Sequence, residues 1–193
     1  RFRLHYAPQT FPSVDPAAPA LLAQRGLDNL ESIYPARLAG DFDIYVAGRL
    51  FAAPDQALRG RSFSDWRQNF ILHDGTGNYA DQQYIFGHEI THLFMWNVYG
   101  PPGNALVSEG AAVDAGMRLA EPLGHLALEP FCAAHLQAGA LPPLSGMRFE
   151  GHIYDLPNYY AAGCFVRYLN QTYGAAAFGS NYSSLDYPAA YGG

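Results

Sequence analysis

Residues 88–92 read His-Glu-Ile-Thr-His. On a helix, four residues turn about 400°, so the imidazoles of His88 and His92 lie about 40° apart on one face, one turn above the other. That spacing lets both rings reach one metal ion, and zinc is the ion such a pair suits. Glu89 falls on the adjacent face, where a carboxylate can hold a metal-bound water and take its proton. The chemistry open to this pattern is metal-assisted hydrolysis. One zinc ion of this kind needs a third protein ligand and leaves a fourth position for water.

The elements that must position these residues can be read from periodicity and punctuation. Phe2–Tyr6 alternates as a strand does. Residues Pro16–Tyr34 carry apolar side chains at Leu21, Leu22, Leu27, Leu30 and Ile33, with Pro16 or Pro19 at the start, as a helix would. Asp43–Ala47 is a second strand, and Asn69–His73 a third, ended by the turn residues Asp74-Gly75-Thr76-Gly77-Asn78. The helix bearing the two histidines starts near Asp81 and stops at Gly100-Pro101-Pro102. Beyond it, Ser108–Leu119, Leu123–Ala138 and Asn158–Tyr173 read as helices, and Leu141–Pro157 as the longest loop. The expectation is an α+β chain forming one domain over 1–193: a small mixed sheet with helices over 1–100, a helical lobe over 101–193, and the zinc helix between them. Gly87, in mid-helix, costs about 1 kcal/mol relative to alanine. It is expected to allow close backbone packing, against an edge strand.

Glu109 is the candidate third ligand. It follows His92 with sixteen residues between. The zinc helix travels about 10 Å from His92 to Tyr99. Asn104–Ser108, if extended at about 3.3 Å per residue, returns the chain far enough. Ser108 would then cap the second helix and put Glu109 in its first turn, where the helix dipole favours a carboxylate. A third histidine six residues after His92, the metzincin arrangement, is absent, because Val98 stands there.

The strings Gly87-His-Glu-Ile-Thr-His92, Val107-Ser-Glu-Gly-Ala-Ala112 and Tyr160-Ala-Ala-Gly-Cys-Phe-Val-Arg-Tyr-Leu169, followed by Tyr173-Gly174, resemble the gluzincin metallopeptidases, closest to their peptidase MA-like families. The opening Phe2–Tyr6 resembles their first strand. The resemblance implies a zincin-like catalytic domain. It implies His88, His92 and Glu109 as zinc ligands, Glu89 as general base and Tyr160 as hydrogen-bond donor to the oxyanion, with Tyr159 and His152 as alternatives. A peptide or protein substrate is expected to pair with an exposed edge strand, and Asn69–His73 is the candidate because it directly precedes the zinc helix. The Gly-x-Met-Glu-Asn string that anchors a free N-terminus in related aminopeptidases is missing, so an endopeptidase is expected. The aspartate that orients a zinc histidine in thermolysin-like relatives falls at Val113, one step before Asp114. Ser184–Gly192 resembles the segment preceding a last helix. The competing reading is a catalytically silent scaffold of the same type, used for binding; an intact Glu89 argues against it.

Composition narrows the partners. A net charge of −6 gives no basic face for nucleic acid or an anionic membrane. No apolar run has the length of a transmembrane segment. No signal peptide is visible; a secreted or cell-envelope location is favoured over others. Cys132 and Cys164 fit one disulfide or two buried thiols equally. All eleven basic residues are arginine, and with the abundant alanine, glycine and proline this reads as compositional bias. The sequons at Asn170 and Asn181 read as chance.

Overall fold

Alternation in Phe2–Tyr6 makes β1, and the apolar stripe of Ala17–Ile33 makes α1, which buries Leu22, Ala23, Leu27 and Leu30. In the computed structural model, residues 1–6, 17–46, 63–65, 67–73, 79–144 and 156–184 are described. Phe42–Val46 forms β2, Phe63–Asp65 β3 and Phe70–His73 β4. The helices that follow are α2 (Tyr79–Tyr99), α3 (Ala105–Ala120), α4 (Leu128–Gln137), α5 (Leu156–Tyr173) and α6 (Ala175–Ser180), with a 3₁₀ turn at Glu121–Leu123. The architecture is mixed α+β with a small sheet.

The sheet has the order β1-β2-β4-β3. β1 pairs parallel with β2 in the register Leu4–Ile44, and β2 pairs parallel with β4 in the register Ile44–Ile71. β3 runs antiparallel to β4, Ser64 opposite Ile71. Phe42, Ile44, Val46 and Ile71 are buried, and they join one cluster with Leu27 of α1, Ile90 and Phe94 of α2, Val107 of α3, Val166 of α5 and Phe178 of α6. A smaller cluster, Val113, Met117 and Leu128, lies under Tyr84, Phe131, Tyr159 and Tyr160.

Three expectations need correction. Phe70–His73 is not an edge: β4 lies between β2 and β3, so β3 is the outer strand on that side among the described residues. β3 itself, three residues long, was not expected. Ser108 does not cap α3. Asn104 does, in an extended conformation, with its side-chain oxygen accepting from Val107 N at 3.1 Å. Helical rather than extended backbone therefore carries Ala105 to Ser108, and Glu109 sits in the second turn of α3, outside the first-turn dipole position. The helix expected from Leu123 starts at Leu128, because Gly124 adopts a left-handed conformation (φ 89°) and Glu121 Oε1 instead accepts from Leu128 N at 2.9 Å.

Cys132 and Cys164 form a disulfide that ties α4 to α5, with Cα atoms 5.7 Å apart. On loop-closure entropy a bridge across 32 residues stabilises the fold by about 3–4 kcal/mol. Among the described residues, no helix is long and apolar enough to cross a membrane. The turn at 74–78, most of the loop that holds His152, and the segment after Ser184 lie outside the described residues.

Candidate metal centre

Helix α2 runs unbroken through the histidine pair, so the four-residue spacing is realised as one face. The two rings stand 4.9 Å apart at 80°, and their Nε2 atoms lie 3.2 Å from each other. From α3, Glu109 Oε2 approaches His88 Nε2 at 3.3 Å and His92 Nε2 at 3.6 Å. A tetrahedral zinc with ligand bonds of about 2.0–2.1 Å has ligand–ligand edges of roughly 3.3–3.4 Å. The observed triangle fits that requirement to within about the tolerance of a metal site. Among the described residues, no other three such side chains converge in this way.

The approach of α3 to α2 has a local cause. A Cβ at Gly87 would lie 2.9 Å from Gly116 Cα and 2.8 Å from Leu119 Cδ1. A Cβ at Gly116 would lie 2.8 Å from the Tyr84 carbonyl oxygen. Glycine facing glycine lets the backbones touch one residue away from His88. The partner of Gly87 is therefore helix α3 and not an edge strand.

The electrostatics suit a cation. Burial alone would raise the Glu109 pKa, but His92 and His88 outweigh it and hold the carboxyl well below its usual range. Burial alone would lower the His92 pKa, yet Glu109, with a smaller contribution from Glu89, carries it above the ordinary imidazole value. The three side chains are largely buried, with 13%, 15% and 21% of their surface exposed for His88, His92 and Glu109. His92 Nδ1 lies 3.2 Å from Ser108 Oγ. Among the described residues, His88 Nδ1 is buried with no hydrogen-bond partner.

Glu89 is 9% exposed, and its charge is felt at both His92 and Tyr84. Tyr160 is half-buried, its ring 5.2 Å from Phe131 and perpendicular to it. Burial, and then the Asp81 charge, raise its pKa. Tyr159 has its ring 6.4 Å from that of His88. Asp114 does not support the histidines. It is 1% exposed and accepts from Arg167 Nε at 2.6 Å, Arg118 Nε at 3.1 Å and Asn170 Nδ2 at 3.2 Å. The last contact also engages the side-chain amide of one sequon.

Two residues beside the triangle were missed from the sequence. Tyr84 stands one turn before His88, with the rings 5.8 Å apart, and it also stacks on His125 at 5.1 Å. Burial, then Tyr160, Glu109, Glu89 and Tyr159, raise its pKa. Its four-residue spacing from His88 was a usable signal. Ser108 had been assigned to a cap, which hid its position beside His92. The chain matches no protein-family model, no curated protein and no solved structure.

Proposed function

We propose that this chain is a zinc-dependent peptide hydrolase of the gluzincin type, acting as an endopeptidase on a peptide or protein substrate. The observation that carries the reading is the near-tetrahedral triangle of His88, His92 and Glu109, with Glu89 next to the first ligand. One zinc ion held there would supply a bound water of lowered pKa and a polarising charge for the scissile carbonyl. Glu89 takes a proton from the attacking water and delivers it to the leaving amine nitrogen. A tyrosine hydroxyl donates to the carbonyl oxygen as its negative charge develops. Tyr160 is the donor that the family resemblance implies; Tyr159 and Tyr84, with rings 6.4 and 5.8 Å from that of His88, are the alternatives. The substrate backbone pairs with an exposed edge, and β3 replaces β4 in that role. The disulfide supports the secreted or cell-envelope location, since such bonds persist in oxidising compartments.

Glu89→Gln tests the reading. The amide keeps the size of the side chain and leaves all three ligands in place, so zinc content should stay at one per chain. Cleavage of a peptide library should fall by roughly 10²–10⁴-fold, the usual contribution of a general base. Hydrolysis that survives this substitution would remove Glu89 from the mechanism. A wild-type chain that binds zinc and cleaves nothing would leave the silent scaffold.

A further inference from the structure

We propose that Ser108 and Tyr182 form a positioning chain that holds the His92 imidazole in its ligating tautomer, so that the turn after α6 helps to shape the metal centre. The inference rests on the metal-site reading above. With Asn104 as the cap, the Ser108 hydroxyl is free of that duty. A serine inside a helix commonly bonds back to the carbonyl four residues earlier; here its oxygen lies 3.2 Å from His92 Nδ1 on the neighbouring helix. The adjacent residue, Glu109, sends its carboxylate to the other ring nitrogen of the same histidine. One turn of α3 therefore grips His92 at both nitrogens.

The direction of the bond follows from valence. For Nε2 to present a lone pair to the centre of the triangle, the ring proton must sit on Nδ1, and Nδ1–H then donates to Ser108 Oγ. Tyr182 supplies the second donor, its hydroxyl 3.5 Å from the same oxygen. With both lone pairs of Ser108 engaged, the serine is held as an acceptor. Tyr182 is 1% exposed and packs on Phe178 at 6.1 Å, so its hydroxyl has little freedom. Its backbone carbonyl accepts from Gly103 N at 2.9 Å, and Ser183 Oγ bonds the Tyr99 carbonyl at 3.1 Å. The turn at 181–184 thus pins the loop that joins the two ligand-bearing helices. Among the described residues, His88 has no such support, since its Nδ1 lacks a partner there.

The test uses the full chain and two readouts. Zinc affinity is measured by chelator competition for wild type, Ser108→Ala, Ser108→Thr and Tyr182→Phe, with thermal melts of each metal-free protein to confirm folding. Loss of an outer-shell partner typically weakens metal binding about 10–100-fold. Ser108→Ala should show a loss of that size, and Ser108→Thr, which keeps the hydroxyl, should recover most of it. Tyr182→Phe should lose less, because 3.5 Å is long for an O–H···O bond. The second readout is the ¹⁵N spectrum of the histidines in metal-free protein, at a pH where they are neutral. Wild-type His92 should appear as the Nδ1–H form and Ser108→Ala as a mixture. A folded Ser108→Ala protein with wild-type zinc affinity and an unchanged tautomer would overturn the proposal. A wild-type chain that takes up no zinc would overturn the metal reading, and the tautomer readout would still decide the Ser108–His92 contact.

Discussion

Gly87→Ala separates helix propensity from helix packing. An exposed glycine-to-alanine change in mid-helix stabilises by about 1 kcal/mol. At Gly87 the added methyl would meet Gly116 Cα at 2.9 Å and Leu119 Cδ1 at 2.8 Å. Leu119 can rotate away, but a backbone atom cannot. Carbon atoms rest comfortably about 3.5–4.0 Å apart, so α2 and α3 must part by roughly 0.6–1 Å. Overpacking of that kind costs about 1–3 kcal/mol. Set against the propensity gain, the net loss is roughly 0–2 kcal/mol, where an exposed site would gain about 1. For a chain of this size that lowers Tm by up to roughly 8 °C. The ligand geometry suffers with it. The Glu109 edges, now 3.3 and 3.6 Å, would open well past the spacing zinc accepts, since ligand distances tolerate only about ±0.2 Å. Thermal melts of the metal-free variant read the packing term, and chelator competition reads the ligand geometry. A Gly87→Ala protein that melts above wild type and binds zinc equally well would refute the helix-contact argument.

The remaining predictions concern charge. Arg167→Ala leaves Asp114, 1% exposed, without its shortest ion pair. Breaking a buried pair costs about 3–5 kcal/mol, and the surviving Arg118 and Asn170 contacts should reduce this to roughly 2–4 kcal/mol in urea unfolding, with zinc affinity unchanged. In metal-free protein, the raised His92 pKa contributes stability that is whole below the ordinary value of 6.5 and lost as pH rises through the folded value. The lowered Glu109 pKa contributes stability that is present above the ordinary 4.5 and lost as pH falls. The Tm advantage of wild type over Glu109→Gln should therefore be largest between these values and shrink as pH rises above 6.5. An advantage that grew across that upper range would contradict the pairing.

What could be read from the sequence was what a single element decides. The end of α2 and the pairing of His88 with His92 depend on one helix, and periodicity with the Gly-Pro-Pro stop was enough; the start is earlier than the sequence suggests, at Tyr79, with Asp81 inside the first turn. The gluzincin pattern of a glutamate on a second helix singles out Glu109, and the structure does bring it to the histidines, although along a helical and not an extended path. Asn104 and Ser108 are both good capping residues, and only the packed structure shows which of them starts α3. β3 was hidden because Phe63-Ser64-Asp65 is too short for an alternation to register; it is a strand because β4 offers it a partner. The same non-local pairing decides that Phe70–His73 is interior. The disulfide, equally, needs two cysteines brought within reach by α4 and α5, which no spacing rule specifies.

The glycine and alanine content, taken from the sequence as bias, acquires a structural role in α3. This helix carries Gly110-Ala111-Ala112 and Ala115-Gly116, and all five are buried. Gly116 meets α2 at the Tyr84 carbonyl, and Gly110 meets α5 at the Ala162 carbonyl. α3 is therefore held at backbone contact from two sides. Two edges of the ligand triangle depend on where α3 lies, since Glu109 is its only contribution, and the third belongs to α2 alone. Larger residues at Gly110 or Gly116 would leave the His88–His92 edge intact while displacing Glu109. The i,i+4 motif thus specifies half of the candidate metal centre, and the small residues of a neighbouring helix bring the third side chain to it.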